Sequence, residues 1–335
     1  MKMRTPTSSP SDRRRADRRR RHDRLIVFRW LLFAALLPGS ACQHSTSGVD
    51  TRRVSSPADR QRVRVRTQAH FERAMFLKPG DIPEGGLPFD LAPLIVQEVS
   101  SSTGPRAGRF GSWSVRETPD AGQPRFDADR PVVYWHESRV DLGQGGLSDQ
   151  FSYIWWYLDL VPDDPPLPAG IRITVDENAF PLAWEVLTRD GWLRSVYVAE
   201  SIERLAEARF GGPLPGRSHS IEPTVADAPD IVVARVLSDG PVPMGPFVYL
   251  TASPTKIATL TCRCMPSQAD EFIETGYYEL LPLSRLLEIG FTPMDRFPFV
   301  RLECMDTSRN DDERIEAGLS GVGEESALKR LRWPG

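Results

Sequence analysis

The sequence predicts an α+β fold, with a mainly antiparallel sheet built from hairpins and a few short helices. Three observations carry that expectation. Runs of β-branched and aromatic residues recur with turn-forming residues between them, and the links between neighbouring runs are short. The 30 prolines in 335 residues disfavour long helices. Hydrophobic residues at 40% and charged residues at 26% are ordinary for a chain that buries a core.

In chain order, "APLIVQEV" and "SWSVRE" are strand-like islands in the Pro/Gly-rich stretch 70–130. "PVVYWHESRV" and "QFSYIWWYLDL" flank the Gly-rich "DLGQGGLSD", which predicts a hairpin. "GIRITVDENAFPLAWEVL" predicts a second, turning at Asp176-Glu177-Asn178, and "FVYLTASPTKIATLTCRC" a third. The continuous apolar run "DIVVARVL" suits a central strand. Ser201 is placed to cap a helix over "SIERLAEARF", which Gly211-Gly212 ends. "SQADEFIETG" and "LSRLLEIG" have the same start and stop chemistry and are expected to form short helices.

The formal charge of −3 conceals two opposed parts. Residues 1–41 carry 11 Lys/Arg against Asp12, Asp17 and Asp23, so the remainder is strongly acidic. Taken alone, "RRRADRRRRHDR" would suit nucleic-acid phosphates. It runs directly into "LIVFRWLLFAALLPGSAC", however, and basic, apolar and small residues in that order are an export signal. The apolar run Leu25 to Leu37 is interrupted by Arg29, and it falls short of the ~20 residues a spanning helix needs. The acidic remainder has no general attraction for nucleic acid, which is not an expected partner.

"LLPGSACQ" resembles the lipid-attachment segment of bacterial lipoprotein precursors, with Gly39 where that pattern prefers Leu. The resemblance covers residues 1–42 only. It implies cleavage before Cys42, acylation of that cysteine with palmitate-type chains, and a membrane-anchored protein of the cell envelope. Gln43, rather than Asp, implies the outer membrane. The expected organisation is a signal peptide (1–41), a lipidated cysteine with a flexible tether (42–68), a single globular domain (69–305) and a polar, disordered tail (306–335), with a short helix around Glu325 to Arg332.

The sequence lacks a Gly-rich phosphate loop, a paired-histidine zinc motif, a strand-to-helix serine elbow and a dinucleotide fingerprint. A non-catalytic role without a cofactor is therefore expected, either structural or binding a protein or glycan partner. His219 in "GRSHSIE" suits a solvated loop. Asp163-Asp164 and "TVDEN" suit turns rather than paired catalytic carboxylates or a calcium site. On a strand, Tyr153, Trp155 and Tyr157 share one face. That row is a candidate stacking platform if exposed and core if covered.

The chemistry-bearing residues are Cys262 and Cys264 in "TLTCRCMPSQ", with Cys304. On a strand, residues two apart are about 6.6 Å apart, at the edge of disulfide reach, so a bridge from Cys264 or Cys262 to Cys304 is favoured in an oxidising envelope. Buried thiols are a second option. A third is a thiol-redox or metal centre of zinc or copper, made by Cys262, Cys264, Cys304 and His136, with Met244 and Met265 suited to a soft ion.

Overall fold

The computed structural model describes residues 56–66, 70–80, 85–99, 110–115, 124–143, 146–158, 166–188, 193–223, 230–252, 256–288 and 326–334. Its strands are β1 (Phe71–Pro79), β2 (Leu94–Glu98), β3 (Phe110–Val115), β4 (Pro124–Asp127), β5 (Val132–Asp141), β6 (Leu147–Tyr157), β7 (Leu167–Val175), β8 (Pro181–Thr188), β9 (Arg194–Ala199), β10 (Ile231–Leu237), β11 (Phe247–Leu250), β12 (Ile257–Thr261) and β13 (Ala269–Pro282). The helices are α1 (Pro57–Arg66), α2 (Leu87–Asp90), α3 (Glu200–Phe210) and α4 (Ser284–Glu288), with a 3-10 turn at Ala327–Arg330.

Eleven strands form one mixed sheet, in the order β10-β9-β8-β7-β6-β5-β13-β1-β2-β11-β12, curled into a nearly closed barrel. This overturns the α+β expectation: 50% of the described residues are in strands and 16% in helices. The three expected hairpins are present as β5/β6, β7/β8 and β11/β12. The sheet is not mainly hairpins, however, because β13 inserts between β1 and β5 and runs parallel to both. β10 with β9 and β11 with β2 are also parallel. Short-range turn chemistry reveals only antiparallel neighbours, since a parallel pair needs a long crossover.

Several elements differ from expectation for physical reasons. "SQADEFIETG" is not a helix but the start of β13, held by the β1 ladder from Phe71↔Ala269 onward. "DIVVARVL" forms β10 at the end of the sheet path rather than a central strand, and α3 and residues 326–334 cover its outer side chains. Ser201 lies inside α3 instead of capping it, because Ala199 is the cap residue and Asp239 takes the Ser201 N–H and hydroxyl. The assigned tether is helical over Pro57–Arg66. There Ser56 and Asp59 exchange backbone and side-chain hydrogen bonds in a capping box. The C-terminal stretch 326–334 is ordered and packed, not a free tail.

Alternation along the strands splits the side chains between interior and exterior. The interior core takes Met75 and Leu77 (β1), Ile95 (β2), Val133 (β5), Ile171 and Ile173 (β7), Trp184 (β8), Tyr197 (β9), Leu260 (β12) and Tyr278 (β13). Tyr197 marks the approach of the two ends of the path, with its hydroxyl hydrogen-bonded to the Thr259 side chain and the Leu260 backbone. Outside, Ile154 and Trp156 are covered by Leu283 and Leu286. Ala183, Val196, Val198 and Val233 are covered by Ala206 of α3 and by Leu328, Leu331 and Trp333.

A polar network fixes that last contact. Arg172 and Glu185 are a buried ion pair at 3.5 Å, with side chains 1% and 4% exposed. Glu185 also accepts from the Ser326 hydroxyl at 2.7 Å and the Ala327 N–H at 2.6 Å, while Gln150 donates to Thr174 and Ser326. The C-terminal stretch thus completes the hydrogen bonding of charges that the sheet could not leave alone.

Candidate disulfide turn at the barrel mouth

Cys262 follows the last residue of β12, and residues 263 and 264 turn the chain toward β13. The turn brings the Cα atoms of Cys262 and Cys264 to 5.2 Å, and the two sulfurs are bonded to each other. The favoured bridge to Cys304 is therefore corrected: the strand spacing that argued against a 262–264 bond ends at Thr261, and a turn is shorter than a strand. Cys304 lies outside the described residues, as does Cys42. Closing a ring of three residues restrains the unfolded chain by only about 1.6 kcal/mol on the loop-entropy rule, against roughly 3 kcal/mol for a 15-residue loop. This bond is a poor staple.

The two sulfurs are placed unequally. Cys262 is 7% exposed and its Sγ accepts the Cys264 N–H at 3.2 Å, whereas Cys264 is exposed. Arg263 sits between them and turns inward, its guanidinium donating to the Ala92 carbonyl. Burial lowers the Arg263 pKa from its ordinary value, opposed by the nearby Tyr278, Tyr153 and Asp90.

Those neighbours build the mouth. The Tyr153 hydroxyl donates to the Pro88 carbonyl and the Tyr278 hydroxyl to the Pro93 carbonyl, each at 2.7 Å. Leu91 and Ala92 are fully buried in the interior core, so α2 and the residues after it close over that core. Gly245 allows the lid to seat: a Cβ there would come within 2.6 Å of the Leu91 carbonyl carbon. Burial raises the pKa of both tyrosines well above the ordinary value. Both are therefore neutral donors at ordinary pH.

The remaining candidates are dispersed. Tyr153 and Trp155 are 0% exposed and Tyr157 9%, so the row lies inside the barrel and is no surface stacking platform. His136 is on β5 opposite Ser152, with four strands between β5 and β12 on the sheet path. Among the described residues no group of three or more His, Cys, Asp and Glu side chains could hold a metal, and Cys262 and Cys264 are spent on each other. Asp176 is a turn former as expected, its Oδ1 accepting the Asn178 and Phe180 N–H groups. Asp163 and Asp164 lie outside the described residues.

His219 is half-buried rather than solvated. Burial lowers its pKa against the opposing influence of Glu222 and Glu203. Glu222 is held by Arg64 of α1, and Glu203 accepts the Ser220 N–H at 2.7 Å. Arg263 is the residue that sequence reasoning passed over. Its place between two cysteines was visible, but Tyr153, Tyr278 and Asp90 meet it only through the fold. Compared with protein families, curated proteins and solved structures, the chain matches none.

Proposed function

We propose that the chain is an exported, lipid-anchored protein of the bacterial envelope, placed at the outer membrane, whose barrel domain serves a binding or structural role. One observation carries this: the basic, apolar, small-residue order that ends at Cys42. Several acyl chains on one cysteine hold a protein to a bilayer far better than one. The internal Cys262–Cys264 bond supports an oxidising compartment. The barrel interior is filled by Trp155, Tyr153, Trp184 and Phe151, so a partner protein or glycan would be met by the outer surface.

The test is Cys42→Ser with cell fractionation. The parent chain is expected in the membrane fraction, released by detergent but not by high salt, and the variant in the soluble fraction. A variant that stays on membranes like the parent would refute the lipid anchor.

A further inference from the structure

We propose that Cys262 and Cys264 are a thiol–disulfide exchange centre for dithiols, with Cys264 the sulfur attacked and Cys262 the sulfur released. The proposal rests on the export reading only for its compartment, where the pair is kept oxidised.

Access and leaving-group stability decide which sulfur of a disulfide is attacked. Cys264 is exposed, whereas Cys262 is buried. The Cys264 N–H already points at the Cys262 sulfur at 3.2 Å, and a hydrogen bond to an anion is stronger than one to a neutral atom. A thiolate leaving from Cys262 therefore has its donor in place. Arg263 lies in the same turn with its guanidinium on the Ala92 carbonyl. That bond tethers the turn independently of the disulfide, so the two sulfurs stay close when their bond opens.

The steps balance. A thiolate of the dithiol attacks Cys264 Sγ, forming a mixed disulfide while the Cys262–Cys264 bond breaks and Cys262 leaves as thiolate. The second thiolate of the same dithiol attacks its own sulfur in the mixed disulfide and expels Cys264. Two electrons have passed to the protein, which now holds two thiols, and the dithiol has become a disulfide. A low-molecular-weight disulfide reverses the process and restores the bond. Exposed Met265 next to Cys264 offers an apolar contact that a peptide dithiol would use and a small one would not.

The full chain in detergent is incubated without oxygen with one equivalent of dithiothreitol or of a reduced two-cysteine peptide. Trapped thiols are alkylated and located by peptide mass mapping, and near-UV circular dichroism follows the fold. Both dithiols are expected to open the 262–264 bond with the fold retained, and oxidised glutathione to close it again. Faster reaction with the peptide assigns polypeptides as the source, and equal rates assign small dithiols. In Cys262→Ser, oxidised glutathione is expected to modify Cys264 at least about tenfold faster than it modifies Cys262 in Cys264→Ser. The proposal is overturned if the bond opens only when the fold is lost, if the two variants react at equal rates, or if mapping joins either cysteine to Cys304. None of these readings depends on Cys42, so a failed anchor and a failed exchange centre are told apart.

Discussion

Replacing Glu185 by Ala should be among the most damaging single changes in the barrel. The variant leaves Arg172, whose side chain is 1% exposed, without its buried counter-ion. It also removes the acceptor of the Ser326 hydroxyl and the Ala327 N–H. Breaking one side of a buried ion pair costs about 3–5 kcal/mol, and the lost hydrogen bonds overlap with that figure instead of adding to it. A loss of about 4 kcal/mol is a large share of the ~5–15 kcal/mol that holds a typical domain together. Urea unfolding reads the loss as a lower midpoint. Trypsin reads its local side, because the exposed Lys329 should be cut faster once the stretch 326–334 loosens. The double change Arg172→Met with Glu185→Leu removes both charges together, and it should cost less than Glu185→Ala alone. A Glu185→Ala chain within about 1 kcal/mol of the parent and equally resistant to trypsin would refute the claim that this network holds the C-terminal stretch.

Two further perturbations test the interior. Trp155→Ala empties a fully buried site beside Phe110 and should cost about 3–5 kcal/mol in urea unfolding; a loss under about 1 kcal/mol would put the indole on the surface. Alkaline stability is the second. Burial pushes the Tyr197 hydroxyl up to about 12, from 10.0 in the unfolded chain. The folded state keeps a proton that the unfolded chain releases, so this stabilisation is full below pH 10 and is lost as pH rises toward 12. Tyr197 alone should lower stability by about 1 kcal/mol between pH 10 and 11, and Tyr197→Phe should flatten that decline. Stability unchanged over this range would contradict its burial.

The sequence made the local pairings legible and concealed the distant ones. β5/β6, β7/β8 and β11/β12 were recoverable because turn residues lie between their strands, as Asp176 shows by hydrogen-bonding its own turn. β13 was not recoverable. Residues 270–275 are exposed in succession and show no two-residue alternation, which returns only at the buried Tyr278 and Leu280. Its polar start and Gly276 imitate helix signals, while the β1 and β5 ladders that make it a strand come from far upstream.

The capping box at Ser56 and Asp59 was present in the sequence but hidden by the arginine-rich composition around it. Leu328, Leu331 and Trp333 carried an apolar signal, yet the groove that receives them is made by α3, β8, β9 and β10. The cysteines were misjudged for a simpler reason. Both were placed on a strand, and the strand stops one residue before Cys262.

Export and anchoring turn on where the mature chain begins and what it carries there. Intact-mass and N-terminal peptide measurement of the protein purified from bacterial membranes reads this directly. The expected result is a chain starting at Cys42 with acyl groups on that residue. A chain that keeps Met1, or starts elsewhere with Cys42 unmodified, would contradict the export and anchoring on which the function was assigned.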